Sequence, residues 1–219
     1  MPESDPVFAA KDFHLGADAF ASDGVEVGKL VRILVDPDYK LVGLVVKEGA
    51  RFSGHRLAPG SLLLADEVVV AKDAVKRVTH ERIALGISSG DVRRLPPYLS
   101  YGEKGETVGE ELEDAVEVLG SVPAVPHWLA ETANKPDSEL EIEGGENVML
   151  GRTGRRLGTV KDVLFDQEQL VGVVLRPDGW FQKEVILPRR FLDRSDDAAL
   201  FAQLDEKDLE HLAPFEPSA

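Results

Sequence analysis

Apolar residues occur along this chain in short runs that end at glycine, proline or acidic residues, a pattern typical of β-strands joined by turns. The stretch Asp23–Val46 predicts a β-hairpin with its turn at Asp36–Lys40. Pro37 sets the backbone angle of a type I turn, and the Asp36 carboxylate can accept backbone hydrogen bonds there. Residues 29–36 are apolar on both faces of the predicted strand. This suits a strand in a small closed barrel, or one covered on both sides.

The hairpin pattern occurs twice in the chain. Thr153–Leu175 repeats it, with 8 identities in 22 aligned pairs counted from Gly24 to Val46. The identical pairs are Gly24/Gly154, Gly28/Gly158, Leu34/Leu164, Asp36/Asp166, Leu41/Leu170, Val42/Val171, Gly43/Gly172 and Val45/Val174. Glycines repeated within strands indicate bulges, tight bends or close backbone approaches. The repetition predicts two units of the same architecture.

Each unit continues with a strand and a short helix. The first unit predicts strands at Ser61–Leu64 and Val68–Ala71, a hairpin over Val75–Leu85, and a helix that Ser88–Asp91 begins and Pro96-Pro97 ends. In the second unit, Glu184–Leu187 and Asp208–Phe215 match the corresponding strand and helix. The first unit is 12 residues longer between Val46 and Glu67.

A strongly acidic segment separates the two units. Residues 99–144 contain 12 acidic and 2 basic residues, which is most of the net charge of −15. Val108, Leu112, Val116 and Leu119 recur at helical spacing among these acids. We expect this apolar stripe and Trp128 to pack within the protein rather than to form a binding site for a partner, because a free linker of this length is unusual. The predicted organisation is residues 13–98, a connector at 99–143, and residues 144–217.

The repeated hairpin pattern resembles that of a known family. The pattern Gly24-x3-Gly28, Asp36-Pro37-Asp38 and Leu41–Val46, repeated at Gly154-x3-Gly158, Asp166 and Leu170–Val174, resembles the PRC-barrel. That family includes the cytoplasmic domain of the photosynthetic reaction-centre H subunit, the C-terminal domain of the ribosome maturation factor and many stand-alone prokaryotic proteins. The resemblance covers about Phe13–Tyr98 and Gly144–Phe215. It implies a mainly β fold: two small PRC-type β-barrels, each with a short C-terminal helix, joined by an acidic, partly helical connector.

The sequence predicts no catalytic, cofactor-binding or metal-binding residues. The histidines, His14, His55, His80, His127 and His211, lack the spacing of metal ligands. The acid pairs Asp36/Asp38 and Asp196/Asp197 are explained by turns. We interpret the basic groups Arg152, Arg155, Arg156 and Lys161, and Arg189, Arg190 and Arg194, as solvated hairpin tips. The loop with Arg51, Phe52, His55 and Arg56, and the cluster Val125–Leu129, are candidate recognition sites.

The family shares no catalytic residues, and its known members work through protein contacts. We therefore expect a non-enzymatic adaptor or scaffold that binds unknown protein partners through sheet edges or hairpin tips. The alternative is an RNA- or ribosome-associated assembly factor. Nucleic-acid binding is disfavoured because the units lack net positive charge. We expect that the acidic N-terminus is not a signal peptide, that no apolar run is long enough to span a membrane, and that the protein is cytoplasmic. Homo-oligomerisation stays open.

Overall fold

The computed structural model describes residues 13–49, 52, 67–79, 81–103, 129–133, 135–136, 139–151, 153–178, 183–196, 199–204, 208 and 211–216. Within these residues the chain is mainly β. The strands are β1 (Asp18–Phe20), β2 (Glu26–Val35), β3 (Leu41–Glu48), β4 (Glu67–Ala71), β5 (Val75–Val78), β6 (Arg82–Leu85), β7 (Leu99–Glu103), β8 (Leu129–Ala133), β9 (Leu140–Glu143), β10 (Asn147–Leu150), β11 (Arg155–Asp166), β12 (Gln169–Pro177), β13 (Val185–Pro188), β14 (Leu192–Asp196) and β15 (Ala199–Ala202). The helix α1 covers Ser89–Val92.

Two sheets have the same strand order. The first runs β4-β3-β2-β1-β6-β5, and the second runs β13-β12-β11-β10-β15-β14. In each of these orders, the strand that comes first in the chain pairs in parallel with the strand that comes last, β1 with β6 and β10 with β15. The long hairpins β2–β3 and β11–β12 each carry two register shifts at matching places. The internal repeat of the sequence is therefore a repeat of sheet topology. We call residues 13–98 the first half and residues 144–216 the second half.

A short turn joins the two outermost strands of each sheet. Residues Lys72–Ala74 form a 3-10 turn between β4 and β5, and Arg189–Phe191 form one between β13 and β14. Three residues span only about 6 Å in this conformation, so the two edges of each sheet must come close together. The bulges in the long strands supply the bend that this curling requires.

The predicted hairpin turns are confirmed. Asp36 Oδ1 accepts hydrogen bonds from the backbone N–H groups of Asp38 and Lys40, both at 2.9 Å. The second hairpin turns between Asp166 and Gln169. The predicted hairpin over Val75–Leu85 is present as β5 and β6, with Thr79 N–H bonded to the Arg82 carbonyl.

The repeated glycines Gly28 and Gly158 mark close backbone approaches, as predicted. A Cβ atom built on Gly28 would lie 1.9 Å from the Lys47 carbonyl oxygen, and one on Gly158 would lie 2.1 Å from that of Arg176. No side chain fits such gaps, because real Cβ contacts stay above 3.0 Å. The two long hairpins can bend at these points only with glycine.

The predicted helix start at Ser88 is confirmed: its hydroxyl accepts from Asp91 N–H at the beginning of α1. After α1 the chain crosses the edge of β4, where Tyr98 N–H donates to the Glu67 carbonyl at 2.8 Å. Phe215 N–H donates in the same way to Glu184 beside β13. In the second half, the residues that correspond to α1, 206–209, are described only at Asp208. The predicted strand Ser61–Leu64, the stripe at 108–119 and Trp128 lie outside the described residues.

A continuous cluster of buried apolar residues runs through both halves. It includes Phe13, Leu30, Ile33, Leu44 and Ile83 from the first half with Ile142, Val148, Phe165, Leu170 and Leu200 from the second half and the strand that precedes it. The predicted connector contains regular structure: β7 and β8 form a two-stranded ribbon of their own, and β9 joins the first sheet beside β2. The halves therefore share a core as well as a linker.

Candidate protein-interaction site

The strand before the second half completes the first sheet. β9 pairs antiparallel with the outer part of β2, and Arg32 lies opposite Glu143. The Arg32 guanidinium contacts both the Glu67 carboxylate and Glu143 Oε2, the latter at 3.3 Å. It also lies over the ring of Tyr98 at 5.1 Å. Because Arg32 is mostly buried, these carboxylates and the ring replace the water that its charge loses.

The start of the first half makes the matching contact with the second sheet. Asp162, in the middle of β11, is buried, with 4% of its side chain exposed. Its Oδ1 accepts from the backbone N–H groups of Leu15 and Val163, both at 2.9 Å. Its Oδ2 accepts from His14 Nδ1. Phe13 beside it packs on Phe165, with ring centroids 5.3 Å apart. Removing one partner of a buried charged group commonly costs about 3–5 kcal/mol, so this contact ties the halves strongly.

The tips of the two long hairpins also meet. Leu41 N–H donates to the Glu168 carbonyl at 2.7 Å, and Leu170 N–H donates to the Tyr39 carbonyl at 3.0 Å. Tyr39 holds a left-handed backbone angle, φ 62°, in this contact. Two reciprocal hydrogen bonds between turns fix the register of one tip against the other. The tips are consequently occupied by each other.

Side chains from the short 3-10 turns cover the tips. Lys72 donates to Glu168 Oε2 at 2.9 Å, and Lys40 lies 3.2 Å from the same oxygen. The hydrogen bond from Lys72 is the main reason that the pKa of Glu168 is lowered from its ordinary value. On the other side, Arg189 lies over the Tyr39 ring at 5.3 Å. Burial raises the pKa of Tyr39.

The edges of both sheets are partly covered by the chain itself. The segment after α1 lies against β4, and residues 213–215 lie against β13, where Ile186 N–H donates to the Ala213 carbonyl. A strand whose N–H and C=O groups already have partners cannot accept a strand from another protein. Strand addition at β4 and β13 is therefore blocked along these contacts.

The ribbon β7–β8 is separate from the two larger sheets. Its strands pair antiparallel from Leu99↔Ala133 to Glu103↔Leu129. The residues on either side of 104–128 are therefore adjacent, and we refer to this 25-residue stretch of the sequence as the loop. The loop contains six acidic residues and one basic residue, together with the apolar stripe noted in the sequence.

The structure places several residues singled out in the sequence. His14 lies in the contact between the halves, whereas His55, His80 and His127 are outside the described residues. Phe52 is buried beneath the Arg93 guanidinium, so it belongs to the core rather than to a recognition loop. Its companions Arg51, His55 and Arg56, and the cluster at 125–128, lie outside the described part.

The charged groups are dispersed over the structure. Asp36 and Asp38 form the predicted turn, and Asp196 lies in β14, with Asp197 outside the described residues. Of the basic groups, Arg156 lies 3.6 Å from Asp178, and Arg190 stacks on Phe191. Within the described part of the chain, no three His, Asp or Glu side chains form a group that could hold a metal ion.

Sequence reasoning missed the residues that join the halves, above all Arg32 and Asp162. Each is a charged residue inside an apolar strand, and the repeat aligns them at the same position. A charge at a position that periodicity assigns to the interior is a signal for a specific partner. The repeat alignment shows where to search, but it does not identify His14 and Glu143 as those partners.

Comparisons with known proteins bear on the second half. The family model described as PRC-barrel domain matches residues 145–207. No curated protein matches the chain. Among the residues that the structure describes, no helix has the length and apolar composition that crossing a membrane requires.

Proposed function

Residues 145–207 are a PRC-barrel domain, and from this premise we propose that the protein is a non-enzymatic adaptor that acts through protein–protein contacts. We also propose that residues 13–98 are a second PRC-type barrel, and that a short helix follows each barrel. The identical strand order of the two sheets supports this, as do the matching bulges and glycines. The two barrels would then act as one rigid support.

The adaptor surface in this proposal is the loop of residues 104–128, so its apolar stripe would bind a partner instead of packing within the protein, as the sequence pattern alone led us to expect. The observation that carries it is the pairing of Glu103 with Leu129, which closes the loop on a ribbon. The hairpin tips are occupied by each other and the β4 and β13 edges are partly covered. Loops held on a rigid scaffold are common places for recognition. The loop is also strongly acidic, with six acidic residues against one basic residue.

The composition of the loop suggests the chemistry of its partner. Val108, Leu112, Val116 and Leu119 follow helical spacing, and acidic residues occupy most positions between them. A helix of this pattern binds a groove that is apolar along its floor and basic along its rim. The same acids repel nucleic acid, which favours a basic protein over RNA as partner.

The test is excision of the loop from the full-length protein. Because Glu103 and Leu129 are adjacent, an Asn-Gly turn can replace residues 104–128 without stretching the chain. We expect the excised protein to unfold at the same denaturant concentration as the wild type. We expect it to lose, in a quantitative affinity capture, proteins that the wild type binds. A matched control keeps the loop length and acids but replaces Leu112, Val116 and Leu119 by Ser, and it should lose the same proteins.

Three outcomes would overturn the proposal. Identical capture by wild type and excised protein would remove the loop from the adaptor surface. Turnover of a substrate by the purified protein would remove the non-enzymatic assignment. Capture that nuclease treatment abolishes would favour the alternative of an RNA- or ribosome-associated assembly factor.

A further inference from the structure

The contact between the halves is reciprocal, and its equivalent positions can be identified from the backbone. Gly16 N–H donates to the Leu30 carbonyl, and Gly145 N–H donates to the Val160 carbonyl. Two residues before these glycines stand His14 and Glu143. We call them the crossing residues, because His14 contacts a strand of the second half and Glu143, which leads into the second half, contacts a strand of the first.

The strand residues that receive them are also equivalent. Arg32 lies two positions after Leu30, and Asp162 lies two positions after Val160, each just beyond a bulge. Arg32 receives Glu143, and Asp162 receives His14. The two contacts thus join equivalent positions with opposite polarity. One strand presents a guanidinium and takes a carboxylate, whereas the other presents a carboxylate and takes an imidazole.

We infer that the reversed polarity of these two contacts makes each half selective for the unlike half. If two first halves paired in the same way, His14 would face Arg32, and both groups are hydrogen-bond donors to anions. If two second halves paired, Glu143 would face Asp162, and two acceptor-only carboxylates would meet at a buried position. Pairing of unlike halves satisfies both contacts. The interface therefore accepts the partner half of this chain and rejects a second copy of either half.

The hairpin tips do not discriminate in this way. Tyr39 and Glu168 are equivalent, since each carbonyl accepts from the other hairpin, and Lys72 and Arg189 each begin the turn that covers a tip. In a pair of first halves, Lys72 would lie over Tyr39. In a pair of second halves, Arg189 would lie beside Glu168, so a cation meets the tip in both cases. The tips therefore stabilise pairing of any two halves, and selection falls on His14, Arg32, Glu143 and Asp162. Unpaired or like charges against the wrong partner are one of the ways in which proteins achieve such specificity.

Burial indicates which of the two contacts contributes more. Asp162 has 4% of its side chain exposed, whereas Glu143 has 46%. Exposed ion pairs contribute little, because water screens them. The second-half contact, at Asp162, therefore rejects a like half more strongly than the contact at Arg32. This inference concerns self-association and does not depend on the adaptor proposal.

The experiment exchanges the polarity of the crossing residues in the full-length protein. In the double variant with His14→Glu and Glu143→Lys, both contacts within the chain are mismatched. Both contacts between like halves of two chains are then matched: the introduced carboxylate at position 14 meets Arg32, and the introduced ammonium at position 143 meets Asp162. We expect a lower denaturant midpoint than the wild type. We also expect a dimerisation constant tighter by about tenfold or more in sedimentation equilibrium, and this gain should weaken as salt rises.

A matched control keeps His14→Glu and adds a second substitution that restores the hydrogen bond to position 162. In the variant with His14→Glu and Asp162→Asn, the introduced amide can donate to the introduced carboxylate while its oxygen still accepts from Leu15 and Val163. This variant should have a midpoint near that of the wild type and should not gain dimer. The single variant His14→Glu mismatches only one contact, so it folds more readily and should gain a smaller amount of dimer.

Three results would overturn the inference. A double variant with the wild-type midpoint and association would show that the polarity of the contacts is immaterial. A variant that loses stability without any gain in dimer would limit these charges to holding the halves together. If the double variant does not fold, the single His14→Glu variant decides: no gain of dimer over the wild type overturns the selection.

Discussion

At the scale of single residues, the fold depends on a few positions that only one residue type can occupy. Gly28 and Gly158 lie where one strand of a hairpin passes directly over the carbonyl of its neighbour. The two glycines recur in the repeat because the same bend recurs, not because glycine favours strands. Arg32 and Asp162 are constrained differently: Asp162 is buried and Arg32 is mostly buried, each against a charged or polar group from outside its own half. Their cost of burial is offset only when both halves are present.

We expect Gly28→Ala to destabilise the protein by about 3 kcal/mol or more, because overlap with the Lys47 carbonyl forces the backbone of the hairpin apart. Urea unfolding monitored by circular dichroism measures the change. Gly49→Ala is the matched control, since the nearest atom to its added Cβ is 3.7 Å away. Equal stability of the two variants would contradict the close approach.

At the scale of elements, the long hairpins have two structural roles. Their inner parts form the curled sheets, and their tips form the contact between halves through hydrogen bonds from Leu41 and Leu170. The short turns after β4 and β13 bring each sheet's edges together and also supply Lys72 and Arg189 to the tips. Curling of each sheet and contact between the sheets therefore involve the same segments.

The pairing of the tips should respond to acid. The pKa of Glu168 is lowered in the folded state, chiefly by the Lys72 hydrogen bond, from an ordinary value of 4.5. A lowered pKa means that the folded protein binds this proton less readily than the unfolded chain. The stabilisation is therefore present above pH 4.5 and is lost as the pH falls through the folded value.

Glu168→Gln should accordingly reduce stability at pH 7, and the difference from the wild type should shrink as the pH falls below about 4.5. Thermal unfolding across this range measures it. Glu26→Gln, at an exposed position at the start of β2, is the control. A difference that is constant with pH would show that the charge of Glu168 does not stabilise the tips.

At the scale of the whole molecule, the halves are held by reciprocal exchange rather than by a tether. β9 completes the first sheet, the segment at Phe13–Leu15 contacts the second, and the apolar core is continuous between them. The loop at 104–128 joins adjacent strand ends, so it does not set the distance between the halves.

Cleavage within residues 104–128 should therefore leave two fragments that remain together. Because this segment is strongly acidic and joins two strand ends, limited proteolysis should cut first in it. We expect the two fragments to co-elute in size-exclusion chromatography and to separate only in denaturant. The first fragment keeps Phe13–Leu15, which contacts the second sheet, and the second fragment keeps β9, which pairs with the first sheet. Fragments that separate in native buffer would contradict the shared core. Equal cutting within Gly24–Val46 would contradict the division into two units.

The sequence by itself determined the local structure of this protein. The hairpins, the turn at Asp36, the start of α1 at Ser88 and the close approach at Gly28 all depend on residues within a few positions or on the pleat of one strand pair. Such features are encoded in periodicity and in the demands of particular turns. The repeat then predicted that the second half would have the same topology, and the match of residues 145–207 to the PRC-barrel domain agrees with it.

Only the tertiary structure decided how the halves are joined. His14 and Asp162 are 148 residues apart, and no local pattern relates them. Phe52 reads as a loop aromatic, yet it is buried under Arg93. The ends of the acidic segment read as a linker, yet β7 and β8 pair with each other and β9 pairs with β2. Contacts of this kind depend on which surfaces meet after each sheet has curled. They are decided by burial and charge complementarity across the whole chain, which a one-dimensional pattern does not contain.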